Sequence, residues 1–248
     1  MRKIIIAANW KKYLNQDESL SLVYQLNDLF NLKNYNYQVM LFPDVNHLPS
    51  ILKVIENKYS LLTFGIQDPS FVKKISDLLS DTFYEKISLS IVGHSDRRIN
   101  HKEDNDTTLK KFSELKNYSG LCPVLCVGET EAQKKDGSTL DIIKKQIPKN
   151  INSLKYSNEC IIAYEPVWSI GTGKVPKNKE IEAVLNSIKS LVDENVKLFY
   201  GGSVDLNNVE KLLEIDLIDG FLIGGASTNF ESLLGIIKKV DKFLKKTN

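Results

Sequence analysis

An apolar run, Cys160-Ile161-Ile162-Ala163-Tyr164, ends on a carboxylate at Glu165 and continues into Pro166-Val167-Trp168-Ser169-Ile170-Gly171-Thr172-Gly173-Lys174. The run reads as a buried strand. A carboxylate at the carboxyl end of such a strand stands where α/β sheets place their chemistry. A lone Glu after a strand is more often an ordinary exposed acid, but the residues that follow argue otherwise. Pro166 fixes φ, Trp168 supplies an apolar anchor, and Gly171 and Gly173 free the far end and let backbone N–H groups approach a ligand. The segment has the form of a lid over a base.

Other reactive groups also fall just after apolar runs. Asn9-Trp10-Lys11 follows Ile4 to Ala8, and the Lys11 ammonium suits an anionic substrate. Gly93-His94-Ser95-Asp96-Arg97-Arg98 follows Leu89 to Val92, where the polar run begins a helix. At a helix start the cationic imidazole is disfavoured, which leaves His94 a neutral donor able to polarise a carbonyl. The other two histidines, His47 and His101, sit in polar loop sequence. Gly201-Gly202-Ser203 follows Lys197 to Tyr200, and Gly224-Gly225 follows Phe221 to Ile223. Glycine pairs after consecutive strands, together with Gly171, can cradle a phosphate with backbone N–H groups. There is no three-ligand metal cluster, no nucleophile elbow and no dinucleotide fingerprint. A carboxylate, an imidazole, an ammonium and a phosphate cradle suit proton transfer beside the carbonyl of a small phosphorylated substrate, with no cofactor and no metal.

These groups need a scaffold that gathers distant strand ends. Eight short apolar runs supply it: Ile4 to Ala8, Val39 to Phe42, Leu61 to Phe64, Leu89 to Val92, Val124 to Val127, Ile161 to Tyr164, Lys197 to Tyr200 and Phe221 to Ile223. Helical patterns lie between them. Leu22, Val23, Leu26, Leu29 and Phe30 follow an Asn15-x-x-Glu18 capping box; Ile181, Val184, Leu185, Ile188, Leu191 and Val192 form a second set, and Leu233, Ile236, Ile237, Val240, Phe243 and Leu244 a third. Alternating strand and helix imply an α/β fold with a parallel sheet, either closed as a (β/α)₈ barrel or open and doubly wound. The 248 residues, 42% of them hydrophobic, read as one domain over 1–248. A net charge of +2, from 33 basic and 31 acidic residues, leaves no broad footprint for nucleic acid or an anionic membrane. Three cysteines argue against a disulfide framework and suit a reducing cytoplasm, with Cys122 and Cys126 as core residues. The first apolar segment is too short for a signal peptide, and no run approaches the roughly 18 residues of a membrane helix.

The motifs Asn9-Trp10-Lys11, Gly93-His94-Ser95, Cys126-Val127-Gly128-Glu129, the loop from Tyr164 to Lys174, Tyr200-Gly201-Gly202-Ser203-Val204 and Gly224-Gly225-Ala226-Ser227 resemble those of the triosephosphate isomerase family over nearly the whole chain. The resemblance implies a single-domain TIM barrel and a cytoplasmic homodimer. It also implies interconversion of glyceraldehyde 3-phosphate and dihydroxyacetone phosphate through an enediolate, in glycolysis and gluconeogenesis. By the same resemblance Glu165 is the base, His94 acts at the substrate oxygens, and Lys11 and Asn9 stabilise the enediolate. Gly171, Ser203, Gly224 and Gly225 hold the phosphate, and Ile170 and Leu222 clamp the base. A Glu base paired with a neutral His is that family's known arrangement, so this role of His94 belongs to the resemblance.

Three departures stand out. Asp96 replaces the family's Glu, one methylene shorter, which bears on how this acid reaches Lys11. The family's Gly-rich segment with Thr-Gly-Glu, between the third and fourth strands, is replaced by Phe71-Val72-Lys73-Lys74-Ile75-Ser76-Asp77, and Leu191 to Val196 looks short. In the family a loop after the third strand packs on the partner subunit near its Asn-x-Lys. Here Phe71, Val72, Ile75, Leu78 and Leu79 recur at helical spacing with no glycine between Gly65 and Gly93. The expectation is a homodimer with an altered, smaller loop contact that covers Phe71 and Val72, which would otherwise leave an exposed apolar patch.

Overall fold

A computed structural model describes residues 2–30, 37–55, 62–72, 87–118, 120–149, 151 and 160–247. Eight parallel strands close in chain order into a barrel: β1 (Ile4–Asn9), β2 (Tyr37–Phe42), β3 (Thr63–Ile66), β4 (Ile87–Val92), β5 (Cys122–Val127), β6 (Ile161–Tyr164), β7 (Lys197–Tyr200) and β8 (Gly220–Ile223). Closure is made by β1 and β8, which pair from Ile5 opposite Gly220 to Ala8 opposite Ile223. The open doubly wound alternative is thereby excluded.

The strands read as continuous apolar runs because both of their faces are buried. Ile5 and Ala7 point into an interior cluster with Met40, Phe42, Ile91 and Phe199. Their neighbours Ile4, Ile6 and Ala8 join the layer beneath the helices. Cys122 and Cys126 are buried in the interior cluster, as expected from the sequence.

The described helices are α1 (Gln16–Phe30), α2 (Leu48–Ile55), α3 (Ser95–Asn100), α4 (Asn105–Glu114), α5 (Glu131–Lys135), α6 (Thr139–Gln146), α7 (Asn178–Lys189), α8 (Val209–Leu213) and α9 (Phe230–Thr247). The capping box before α1 forms reciprocally. Glu18 N–H donates to the Asn15 side chain at 2.9 Å, and Asn15 N–H donates to the Glu18 carboxylate at 2.8 Å. Ile181, Val184, Leu185 and Ile188 form the buried face of α7. Leu191 and Val192, expected to extend it, lie in the following turn, because the helix closes at Ser190 with its N–H on Asn186. Val192 is nonetheless buried.

Strand boundaries also move, with β2, β4 and β5 each starting two residues before the apolar run read from the sequence and β8 one before. The third strand, read as Leu61 to Phe64, runs from Thr63 to Ile66, and Leu61 lies outside the described residues. After it Asp68 caps a short 3₁₀ turn at Pro69–Phe71, accepting from Ser70 N–H. Val72 is 2% exposed and belongs to its own chain's core, while Phe71 is half-buried against that core. The expected apolar patch of Phe71 with Val72 is therefore corrected: the side chain of Val72 is already covered. Ile75, Leu78 and Leu79 lie outside the described residues. No helix among the described residues is long and apolar enough to cross a membrane.

Candidate active site

Glu165 follows β6 directly and is 3% exposed, though charged residues are seldom buried without partners. Its backbone N–H donates to Val127 O at 2.7 Å, and its carboxylate meets Ser95 N–H at 3.4 Å and His94 Nε2 at 3.3 Å. Beneath it the buried Cys126 thiol is held far up from its ordinary pKa, first by burial and then by the Glu165 charge. That thiol stays protonated.

His94 caps α3, and its Nδ1 accepts the backbone N–H of Asp96 at 3.1 Å. An Nδ1 that accepts leaves the ring proton on Nε2, the nitrogen facing Glu165 and the cavity. The Asp96 carboxylate is 3.6 Å from Nδ1, beyond hydrogen-bonding distance, so the backbone contact sets the tautomer. Asp96 instead reaches Lys11, with Oδ2 at 3.2 Å from Nζ. The shorter acid spans the gap that the sequence left open.

Lys11 adopts a left-handed backbone, φ 50°, unusual for a residue other than glycine. Several contacts hold it there. Its N–H donates to the Asn9 side chain at 3.2 Å, and the Gln67 amide donates to Lys11 O at 2.8 Å and to Phe42 O at 2.9 Å. Trp10, between Asn9 and Lys11, is buried and donates its indole N–H to Ser227 O, tying the end of β1 to the turn after β8.

The loop after β6 begins with a 3₁₀ turn at Val167–Ser169, where Ser169 N–H donates to Pro166 O at 2.8 Å. Trp168 anchors it by donating Nε1–H to Glu129 at 2.7 Å, and Glu129 also accepts from Tyr164 OH at 3.2 Å. Burial, and then the Glu129 charge, drive the Tyr164 hydroxyl far above its ordinary pKa, so it remains a donor. The ammonium of Lys134 stacks over the Trp168 ring 3.8 Å from its centroid and pairs with Glu180 at 3.1 Å. The far end turns on Gly171 and Gly173, at φ 69° and 73°. A Cβ at either would meet nothing within 4 Å, so glycine is needed there for backbone freedom rather than for space.

One cavity of about 220 Å³ is lined by Asn9, Lys11, His94, Glu165, Ile170, Gly171, Ser203, Leu222, Gly224 and Gly225. The candidate residues read from the sequence thus converge, except Asp96, which lines an adjoining cleft of about 700 Å³. Ser203 N–H donates to the Ser169 hydroxyl at 3.3 Å, tying the loop after β6 to the glycine turn after β7. The sequence reading assigned no role to Glu129 or Gln67. Glu129 carried the signal used for Glu165, an acid just beyond an apolar strand. Gln67 acts through backbone carbonyls and had no such mark.

Fold and site together define a closed (β/α)₈ barrel with its candidate residues gathered at the carboxyl ends of the strands, where barrel enzymes place their chemistry. The family model described as triosephosphate isomerase matches residues 4–240, and the chain belongs to that family. It is similar to the triosephosphate isomerase of Buchnera aphidicola subsp. Cinara cedri, 39% identical over 255 residues spanning 96% of this chain and 98% of that protein. The enzyme of that name from Clostridium tetani is 34% identical over 251 residues, 96% of each chain. That from Mycoplasma mobile is 33% identical over 245 residues, 96% of this chain and all of the other.

Proposed function

We propose that this chain interconverts glyceraldehyde 3-phosphate and dihydroxyacetone phosphate through an enediolate, without a cofactor, in glycolysis and gluconeogenesis. The observation that carries the reading is the convergence of Glu165, His94 and Lys11 on one glycine-lined cavity beneath a hinged loop. The phosphate sits on the amides of Gly171, Ser203, Gly224 and Gly225. Glu165 removes a proton from the carbon beside the carbonyl, while His94 Nε2–H donates to the oxygen that gains charge. Lys11 and Asn9 stabilise the resulting anion. His94 then moves a proton between the two oxygens, and Glu165 returns its proton to the neighbouring carbon, so substrate and product are isomers and nothing is consumed. Ile170 and Leu222 close over the base and exclude water, which strengthens these electrostatic interactions.

The working form is a cytoplasmic homodimer in which a partner packs near the cleft of Lys11, Gln67 and Phe71, through a contact smaller than the family's. A coupled assay on the purified chain tests the activity. Turnover of glyceraldehyde 3-phosphate to a product reducible as dihydroxyacetone phosphate is expected, and none with metal-free, correctly folded protein would refute the reading.

A further inference from the structure

Gly128 follows β5, and its backbone presses on that of the candidate base: a Cβ at position 128 would lie 1.8 Å from Glu165 O. The short segment around it frames the catalytic strand end. Val127 O accepts from Glu165 N–H at 2.7 Å, Glu129 O accepts from Val167 N–H at 3.0 Å, and the Glu129 carboxylate anchors Trp168. One side chain fixes this segment from behind. Gln146, the last residue of α6 and 6% exposed, accepts from Gly128 N–H at 2.7 Å through Oε1 and donates from Nε2 to Gly128 O at 3.0 Å. Both backbone hydrogen-bonding groups of Gly128, one in each of the two peptide units that flank its Cα, are thus held by one side-chain amide, which resists sliding and rotation of that segment together.

We infer that Gln146 is a positioning residue for the isomerisation, holding Glu165 and the Trp168 end of the lid in register through Gly128. It touches no substrate. The inference rests on the proposed activity, because displacement of the base matters only if Glu165 moves a proton. Phosphate binding depends on loops at Gly171, Ser203, Gly224 and Gly225, which Gln146 does not contact, so its loss should act on the chemical step rather than on affinity.

Gln146→Met keeps the length and unbranched shape while removing both hydrogen bonds. Its kcat should fall by about ten- to a hundredfold with KM within about twofold, and more inorganic phosphate should be released per turnover. Val240→Ala, a core truncation on α9, serves as the stability control and should keep kcat at its own lowered Tm. Gln146→Glu retains the acceptor for Gly128 N–H and should give an intermediate kcat; it decides the matter if the Met variant does not fold. An unchanged kcat, or a loss matched by Val240→Ala, overturns the inference.

Exchange of the Trp168 indole N–H, assigned by its disappearance in Trp168→Phe, separates this outcome from failure of the activity itself. If wild-type protein proves inactive, the functional reading falls while this measurement still decides the role of Gln146. At least about tenfold faster exchange in Gln146→Met supports it, and unchanged exchange overturns it.

Discussion

The Nζ of Lys11 lies 3.2 Å from Oδ2 of Asp96, although this acid is one methylene shorter than the Glu that the family resemblance implies. Asp96 is half-exposed, and such a pair contributes only about 0–1 kcal/mol to stability. Its consequence is geometric, since it directs an ammonium that the strained backbone of Lys11 already points at the cavity. Asp96→Glu should therefore be tolerated, changing kcat/KM by no more than about tenfold, roughly 1.4 kcal/mol in barrier. A collapse in activity would show a site built around the shorter acid.

The lid makes a prediction about side reactions. An enediolate phosphate left open to water expels its phosphate, so a shortened loop should change the products as well as the rate. Deleting Ile170 to Gly173 should slow isomerisation and raise the phosphate released per turnover. An unchanged ratio would mean that the loop is not a lid.

Assembly is tested by light scattering across a dilution series with activity followed in parallel. A homodimer is expected, with activity falling as it dissociates, because Lys11 borders the cleft proposed to face the partner. Full activity in a monomer at low micromolar concentration would contradict it.

Lys102 offers a test remote from the chemistry. It turns the chain between α3 and α4 at φ 54°, a conformation that costs a residue with a side chain about 1–2 kcal/mol. Lys102→Gly relieves this strain but loosens the unfolded chain, and a net gain of about 0.5 kcal/mol, or roughly 1–2 °C in Tm, is expected. A fall of similar size in a thermal melt would show that this turn is held by contacts of the lysine side chain.

The barrel was legible because two-sided burial writes each strand as a compact apolar run, and strand ends mark where polar residues become reactive. Glu165, His94 and Lys11 could therefore be named before any geometry was known. The supports of these residues were hidden because they act through backbone atoms. Gln67 holds carbonyls just beyond β1 and at the end of β2, and Gln146 holds both backbone groups of Gly128 from the end of a helix. Neither contact has a sequence spacing. The fate of Phe71 and Val72 was misread for a related reason, since helical periodicity does not distinguish a residue facing its own core from one facing a partner.

Glu165 is proposed to carry the proton, and Glu165→Gln isolates that role, because the amide keeps size and hydrogen bonding while losing the basic oxygen. Measured in the coupled assay, turnover should fall by about a thousandfold or more, while an analogue of the phosphorylated intermediate still binds. Retention of a tenth or more of wild-type turnover would contradict the account.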